Sequence, residues 1–334
     1  MWPVRVPQVG VTMQAVIQDR YGSADVVRLG ELPDPVPADD EVLLRVRAVS
    51  LNGSDRENLE GRPAYARWTN GLRHPRDPVP GSDVAGVVAA VGRGVTEYAP
   101  GDELYGELAG YRGGMAELVA TRPKLLARKP DGLSFVEAAA IPQAGGIAHR
   151  ATAHVRPGDA VLVNGAGGAG GVFVVGLAKH AGAEVTGVDR ADKADFLREI
   201  GADHTIDFAT QDWADERGRY DLIVDLVAER SPFRVHRALR PGGRYAMVGG
   251  QARILLGTAA VGFPVGRVRG KRVGVLVVPQ SRADLESVTA LISQAGFSPP
   301  IDSVYPLRDA QAAFARIAAG DSRGKIVLEV PEGR

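Results

Sequence analysis

The sequence predicts an α/β fold in which a doubly wound parallel sheet is combined with a β-rich part. Three observations lead to this prediction. Short strand patterns, separated by proline and glycine, fill the chain up to about residue 128. From Ser134 onward, apolar strand patterns alternate with helical ones, as in a parallel sheet. Residues 165–171 form a glycine-rich turn between a strand and a helix, which is typical of dinucleotide-binding folds.

Composition limits the class of protein. The 334 residues suit one large or two ordinary domains, and an apolar content of 45% is normal for a globular core. The 40 Lys and Arg balance the 40 Asp and Glu, which disfavours nucleic acid and anionic membranes as partners. No apolar run has the length of a membrane span, and the first residues lack the apolar core of a signal peptide. We therefore expect a cytoplasmic protein that acts on a small molecule and binds neither nucleic acid nor a membrane.

The β-rich part is predicted from four apolar segments near its centre. Strands are expected at 41–49, 84–92, 103–106 and 115–120. Residues 60–80 are rich in proline and glycine and are predicted to form a long loop of the kind that covers a ligand site. Substrate specificity is expected at 56–80 and around 251–270, because these stretches have the least regular pattern.

The second part has the alternation of a doubly wound sheet. Strands are predicted at 160–164, 184–189, 204–208, 220–227, 243–248 and 271–278, with helices starting near Gly171, Ala191 and Phe233. The strand at 271–278 is predicted to form an apolar edge, which needs covering. A helix at 283–295, a segment from Asp302, a helix at 310–319 and a closing strand from Lys325 follow it.

The glycine-rich turn is the strongest functional signal. Its glycines at 165, 167 and 170 fit the glycine fingerprint of dinucleotide-binding proteins, and those at 165, 168 and 171 fit it equally well. Glycines allow the backbone to approach a pyrophosphate, and the helix that follows offers unpaired N–H groups. The alternative is a turn that only packs the helix on the sheet. We predict that the turn binds a nicotinamide dinucleotide through Gly165, Ala166, Gly167, Gly168, Ala169, Gly170 and Gly171.

The choice between NADH and NADPH is left open by the sequence. Asp189 ends the second strand about twenty residues past the glycines, where a carboxylate would bind the adenosine ribose and repel a 2′-phosphate. Arg190 and Lys193 could instead bind that phosphate, or could be solvated charges at the start of a helix. Because strand-end side chains face the cleft, NADH is slightly favoured.

Several short motifs occur in an order and at spacings that identify a superfamily. The chain resembles the medium-chain dehydrogenase/reductase superfamily in its zinc-free quinone oxidoreductase branch, which includes zeta-crystallin. The resemblance implies a split, β-rich, GroES-like catalytic domain of residues 13–128 and 279–334, with a Rossmann domain of residues 129–278 inserted into it. The motifs are Tyr21-Gly22, Val49–Asp55, Pro80–Gly86, Gly101-Asp102, Gly113–Glu117, the 165–171 turn, Leu239–Gly243 and Gly324–Leu328.

No metal site is expected. The chain has no cysteine, and its six histidines include no His-x-x-x-His pair. By the resemblance, Asn52 stands where zinc-dependent relatives have their first cysteine, Ser82 and Asp83 stand at a His-Glu pair, and Gln143 stands near the last ligand. Asn, Ser and Gln are poor zinc ligands, so the resemblance implies a metal-free site.

Without a Lewis acid, a hydride acceptor already activated by conjugation is favoured. Quinones and α,β-unsaturated carbonyls are such acceptors, and the developing oxyanion needs a hydrogen-bond donor. Asn52 is the candidate donor, and Asn52 with Asp55 forms a pair typical of the zinc-free branch. Asp55 could instead cap the following helix. His74 and Tyr111 are weak candidates for a proton donor, and solvent could supply the proton.

Further cofactor contacts are expected around the cleft. Val227 and Gly249 follow predicted strands, and ligands bind at the carboxyl ends of such strands. The resemblance implies that Lys325 touches the pyrophosphate and that the edge strand at 271–278 pairs with its copy across a homodimer interface. Gln143 is the last of the predicted cofactor-binding residues.

The leading hypothesis is therefore an NAD(P)H-dependent, metal-free reductase of quinones or activated alkenes. The alternatives are a biosynthetic reductase of one unsaturated intermediate, including a carrier-bound acyl chain, and a nucleotide-binding protein without turnover.

Overall fold

The computed structural model describes residues 11–267 and 270–331. Two sheets organise this part of the chain, and a two-stranded ribbon lies beside them. Among the described residues, the helices are too short or too polar to cross a membrane.

The N-terminal elements are mainly strands. They are β1 (Thr12–Gln18), β2 (Val27–Pro33), β3 (Val42–Leu51), α1 (Gly53–Glu60), α2 (Ala64–Asn70), β4 (Asp83–Val91), β5 (Glu103–Glu107), β6 (Leu118–Thr121), β7 (Leu126–Arg128), α3 (Phe135–Ala140) and α4 (Pro142–Thr152).

Strands and helices then alternate to the end of the chain. They are β8 (Ala160–Asn164), α5 (Gly171–His180), β9 (Glu184–Asp189), α6 (Ala194–Glu199), β10 (His204–Asp207), β11 (Tyr220–Asp225), α7 (Pro232–Ala238), β12 (Leu239–Met247), α8 (Ala252–Arg267), β13 (Arg272–Val275), α9 (Arg282–Gln294), β14 (Ile301–Pro306), α10 (Ala310–Ala319) and β15 (Lys325–Glu329).

The β-rich sheet is built from both ends of the described chain. Its seven strands follow the order β14-β15-β3-β4-β5-β7, with β6 paired to β3. The last strand, β15, lies antiparallel to β3, so that Leu328 lies opposite Val49. The chain thus leaves this sheet after β7 and returns to it with β14, which confirms the predicted split, β-rich unit. The boundaries at residues 128 and 279 stay a prediction.

The second sheet has the doubly wound order. Its strands run β10-β9-β8-β11-β12-β13, all parallel, with β8 and β11 as central neighbours. All five residues of β8 are buried because helices cover both faces of a parallel sheet. Strand order reverses between β8 and β11, and ligands bind at such a switch point, beyond the carboxyl ends of the strands. Among the described residues, β13 pairs with β12 alone, which confirms the predicted edge.

Two predicted irregular stretches contain helices. The segment 60–80 includes α2, and the segment 251–270 includes α8, so the prediction of a long loop at 60–80 was wrong. The helix α2 is short and follows Pro63 at its N-cap, and α8 has Pro264 inside it. Proline disfavours a helix interior, so neither stretch has a clear helical pattern in sequence. Strands β11 and β13 also end earlier than predicted, at Asp225 and Val275.

The glycine turn gives a prediction about stability. A methyl group on Gly171 would lie 2.2 Å from the carbonyl oxygen of Gly165 and 2.6 Å from that of Ala166. A methyl group on Gly168 would have its nearest neighbour at 3.4 Å. Gly171→Ala should therefore lower the free energy of unfolding by about 1–3 kcal/mol, the usual cost of overpacking. Urea denaturation measures this, with Gly168→Ala as the matched control. Equal midpoints for the two variants would contradict the packing role.

Candidate functional site

A cavity of about 1050 Å³ lies between the two sheets and brings most of the predicted site residues together. It is bounded by the carboxyl ends of the parallel strands on one side and by α1 on the other. Apolar side chains form much of its wall, among them Leu51, Ile147 and Leu276. The predicted residues that line it are Asn52, Gln143, Gly165, Gly168, Ala169, Gly170, Gly171, Asp189, Arg190, Lys193, Val227 and Gly249.

The glycine turn joins β8 to α5 as predicted. Gly165 has φ +85°, a conformation that favours glycine. Space next to Gly168 is open toward the cavity, where a pyrophosphate could approach the N-terminus of α5. Ala166 and Gly167 do not line the cavity; Gly167 instead accepts a hydrogen bond from the N–H of Gly324 at 2.9 Å. These two residues shape the turn from behind.

Asp189 lines the cavity, but its oxygens already have partners. Oδ2 accepts the N–H of Gly167 at 2.9 Å, and Oδ1 accepts the N–H of Arg190 at 2.9 Å. The ammonium of Lys193 lies 3.3 Å from Oδ1, and both side chains are buried. Asp189 therefore fixes the glycine turn, and Lys193 compensates its charge.

Arg190 lies at the rim of the same region of the cavity. Its guanidinium pairs with Asp192 at 2.8 Å and with Asp321 at 2.6 Å. The side chain is more than a third exposed, so these pairs are screened by solvent. Arg190 can thus exchange a surface carboxylate for a phosphate of a bound nucleotide.

Lys325 corrects a prediction. The resemblance implied that it touches the cofactor pyrophosphate, but it is completely buried and does not line the cavity. Its Nζ donates to Oδ1 of Asn52 at 2.6 Å and lies 3.7 Å from Oδ2 of Asp83. Burial lowers the pKa of Lys325, whereas the charge of Asp83 acts to raise it. Lys325 is a partner of Asn52 and Asp83 beneath the cavity floor.

Asn52 is the centre of a buried polar cluster. Its Nδ2 donates to Oδ2 of Asp83 at 2.9 Å and lies 3.5 Å from Oγ of Ser82. Its carbonyl oxygen accepts from Lys325, so the orientation of the amide is fixed from both ends. The cavity therefore has a rigid amide at its floor.

Asp55 lies behind Asn52 and away from the cavity wall. Its Oδ2 accepts the backbone N–H of Asn52 at 2.7 Å, and Asn52 precedes the first residue of α1. The N-cap position is therefore Asn52, and Asp55 caps the helix from its third position in a capping box. The predicted capping role of Asp55 is confirmed, and only its expected N-cap position was wrong. Burial raises the pKa of Asp55 to about 7. Asp55 does not touch the cavity, so we assign it a positioning role and not a catalytic one.

Gln143 links the cluster to a second carboxyl group. Its backbone N–H donates to Oδ2 of Asp83 at 3.1 Å, and its Nε2 donates to Oε1 of Glu107 at 2.7 Å. Burial, followed by the charge of Asp83, raises the pKa of Glu107 to about 8. The four positions compared with zinc ligands, Asn52, Ser82, Asp83 and Gln143, therefore do lie together.

Sequence reasoning missed three glutamic acids that line the cavity, Glu57, Glu60 and Glu107. Burial raises the pKa of Glu57 to about 7. Glu57 follows Asn52 by five positions, on the helix that Asn52 caps. Since the resemblance already placed Asn52 at the site, this proximity could have drawn attention to Glu57. Of the weak candidates, Tyr111 lines the cavity, whereas His74 does not.

Comparisons with known proteins agree with this architecture. Residues 38–131 match the family model described as alcohol dehydrogenase GroES-like domain, and residues 200–328 match the one described as zinc-binding dehydrogenase. The chain is 30% identical to the chloroplastic quinone-oxidoreductase QR1 of Triphysaria versicolor, over 96% of this chain and 99% of that protein.

Two further relatives are similar over most of the chain. The chloroplastic NADPH-dependent alkenal/one oxidoreductase of Arabidopsis thaliana is 30% identical, over 95% of this chain and 79% of its own length. The solved quinone oxidoreductase of Coxiella burnetii is 26% identical with a TM-score of 0.85, covering 96% of this chain and all of that one. The chain therefore belongs to the medium-chain dehydrogenase/reductase superfamily, in its zinc-free quinone oxidoreductase branch, and is a nicotinamide-dependent oxidoreductase.

Proposed function

We propose that the chain transfers a hydride from NAD(P)H to a quinone or an α,β-unsaturated carbonyl compound. The observation that carries this proposal is that one largely apolar cavity contains both the glycine turn and the Asn52 amide. An apolar wall suits a conjugated, uncharged acceptor. The relatives named for quinone and alkenal/one reduction support the same class of substrate.

The residues of the chain would bind and orient the two reactants. A bound reduced nicotinamide supplies the hydride, and the turn at 165–171 would hold its pyrophosphate at the N-terminus of α5. Gln143 and Tyr111 line the cavity near Asn52 and offer polar groups to a developing oxyanion. The Asn52 amide, predicted as this donor, already bonds to Asp83, Ser82 and Lys325 and so shapes the cavity floor. The site would hold the hydride donor and the acceptor in contact. Much of the entropy lost in bringing them together is then lost on binding and does not add to the barrier of hydride transfer.

A screen of acceptors tests the proposed function. The purified chain should oxidise NADPH or NADH in the presence of quinones or enones and should leave saturated ketones unreduced, because these lack conjugation. The disappearance of reduced nicotinamide is followed by its absorbance, and product formation is confirmed by mass spectrometry. Cofactor binding without turnover on any acceptor would instead support a non-catalytic nucleotide-binding protein.

We also propose that the site works without a metal. The ammonium of Lys325 uses Asn52 Oδ1 and faces Asp83 Oδ2, which are the oxygens that a cation at this position would need. Within the described ranges, no group of three His, Cys, Asp or Glu side chains is arranged to hold a metal ion. A second cation beside a buried ammonium would meet strong repulsion.

Metal analysis should agree with this. Purified protein should contain no stoichiometric zinc, and treatment with EDTA should leave kcat unchanged, since no step depends on a Lewis acid. Elemental analysis by plasma mass spectrometry gives the zinc content. One tightly bound zinc per chain, or loss of activity that zinc restores, would contradict a metal-free site.

For the cofactor, we propose that both NADH and NADPH are accepted. The Asp189 carboxylate, which favoured NADH in the sequence, is compensated by Lys193 at 3.3 Å. Its repulsion of a 2′-phosphate is therefore weaker than that of an unpaired carboxylate. Arg190 lines the cavity nearby and can pair with such a phosphate.

Substitutions at these positions should separate the two cofactors. Arg190→Ala should weaken NADPH about tenfold and NADH little, because only NADPH carries the 2′-phosphate. Asp189→Ser should shift preference toward NADPH, since it frees the charge of Lys193. Fluorescence titration with each nucleotide measures both effects, and Arg198→Ala, an exposed arginine one helix away, is the control. Equal losses of NADH and NADPH affinity in Arg190→Ala would show that Arg190 does not select the cofactor.

The homodimer and the cytoplasmic location stay proposals. The outer edge of β13 has no partner strand in the part of the chain that the structure describes. This edge supports dimerisation, because it is available for pairing with a second chain.

A further inference from the structure

The proposed reaction requires a proton as well as a hydride. Reduction of an enone or quinone leaves an enolate or a hydroquinone anion, and this oxyanion must be protonated before release. Three glutamic acids, Glu57, Glu60 and Glu107, line the cavity in which this happens. Glu60 is paired with Arg56 at 2.7 Å, which leaves Glu57 and Glu107 as candidate acids. Their surroundings distinguish them.

Glu57 faces the nucleotide side of the cavity. A methyl group placed on Gly249 would lie 3.7 Å from Oε1 of Glu57, and Gly249 follows β12 at the carboxyl end of the parallel sheet. The hydroxyl of Tyr65 donates to Oε2 at 3.3 Å and lies 3.5 Å from the carbonyl oxygen of Gly250. The Glu57 side chain thus extends from α1 toward the loop at Gly249 and Gly250, beside the nucleotide cleft.

The charges around Glu57 favour a protonated carboxyl group near neutral pH. Its neighbour Arg56 pairs with Glu60 at 2.7 Å, and among the described residues no cation forms an ion pair with Glu57. Burial raises the pKa of Glu57 to about 7, the charge of Glu60 adds to this, and Tyr65 and Arg56 oppose it. A carboxylic acid with such a pKa can donate a proton and recover it from solvent.

Glu107 is less suited to this task. Its Oε1 already accepts from Nε2 of Gln143 at 2.7 Å, and it lies beside the buried Asp83. In contrast, no donor from the described part of the chain bonds to Oε1 of Glu57. That oxygen faces the loop at Gly249 and is available to a substrate.

We propose that Glu57 is the proton donor of the reaction, with Tyr65 as its positioning residue; this role rests on the hydride transfer proposed above. The hydride brings the electron pair for a new C–H bond at the β-carbon of an enone. The π electrons of the C=C bond then move toward the carbonyl group and give the enolate. The O–H bond of Glu57 breaks as its proton passes to the α-carbon. The resulting carboxylate takes a proton from water, so that NAD(P)H, one proton and the enone give NAD(P)⁺ and the saturated ketone.

Glu57→Gln tests this role while keeping the size of the side chain. The variant should lose about 10²-fold or more in kcat on an enone, the usual contribution of a general acid, and bind NADPH with unchanged affinity. Wild-type kcat/KM should fall as pH rises through about 7, because the acid must be protonated, and this limb should be absent in the variant. Glu199→Gln, at an exposed position on α6 outside the cavity lining, is the control and should behave like wild type.

Two further readouts separate catalysis from structure. In D₂O the wild type should place deuterium on one face of the α-carbon, whereas Glu57→Gln should label both faces because solvent protonates the free enolate. Tyr65→Phe removes a hydrogen bond that lowers the pKa of Glu57, so its pH limb should move upward.

The possible failures are distinct. If the wild type reduces no quinone or enone, the proposed function is wrong and the role of Glu57 falls with it. If the wild type turns over, but Glu57→Gln keeps its rate, its pH limb and one-face labelling, the role of Glu57 alone is overturned. Transfer of all three effects to Glu107→Gln would likewise overturn it.

Discussion

The burial of one ammonium group determines how the rest of the site is arranged. Lys325, at the start of the last strand, is completely enclosed, and an unpaired charge in such a place would be very costly. Asn52 and Asp83 satisfy it, one from the residue before α1 and the other from the start of β4. These partners come from distant parts of the sequence, so removal of either one would leave an uncompensated buried charge where β15 joins the N-terminal strands.

The same cluster has more acids than cations. Asp55, Asp83 and Glu107 surround the single ammonium, and burial raises the pKa of each of them. A carboxyl group with a raised pKa stabilises the fold in its protonated form, so this contribution is present at low pH and is lost as pH rises toward and through the folded-state pKa. Of these three acids, Glu107 lines the cavity, and its pKa of about 8 makes a protonated carboxyl group available there near neutral pH.

Local patterns in the sequence were enough to predict the nucleotide half of the site. The glycine turn, the buried strand before it and Asp189 all lie within one strand–helix–strand unit, so their spacing alone indicates their proximity. The resemblance supplied the position of Asn52. The surroundings of Lys325 could not be predicted, because they depend on the pairing of β15 with β3, in which Ile326 lies opposite the distant Leu51. Glu57 was missed for a similar reason: its environment depends on α2, a helix with no clear pattern of its own.

The two lysines near the cavity suggest a common principle for its selectivity. Lys193 compensates Asp189, and Lys325 compensates Asp83, so two carboxylates that could have faced a ligand are internally neutralised. The cavity floor then presents an amide at Asn52 and carboxyl groups whose pKa values are raised, as for Glu57 and Glu107. A floor of neutral donors around an apolar wall favours an uncharged acceptor. The negative charge of a dinucleotide is met instead at the opposite side, by the backbone of the glycine turn and the N-terminus of α5. One wall of the cavity therefore recognises the charge of the dinucleotide, and the opposite wall holds the hydride acceptor.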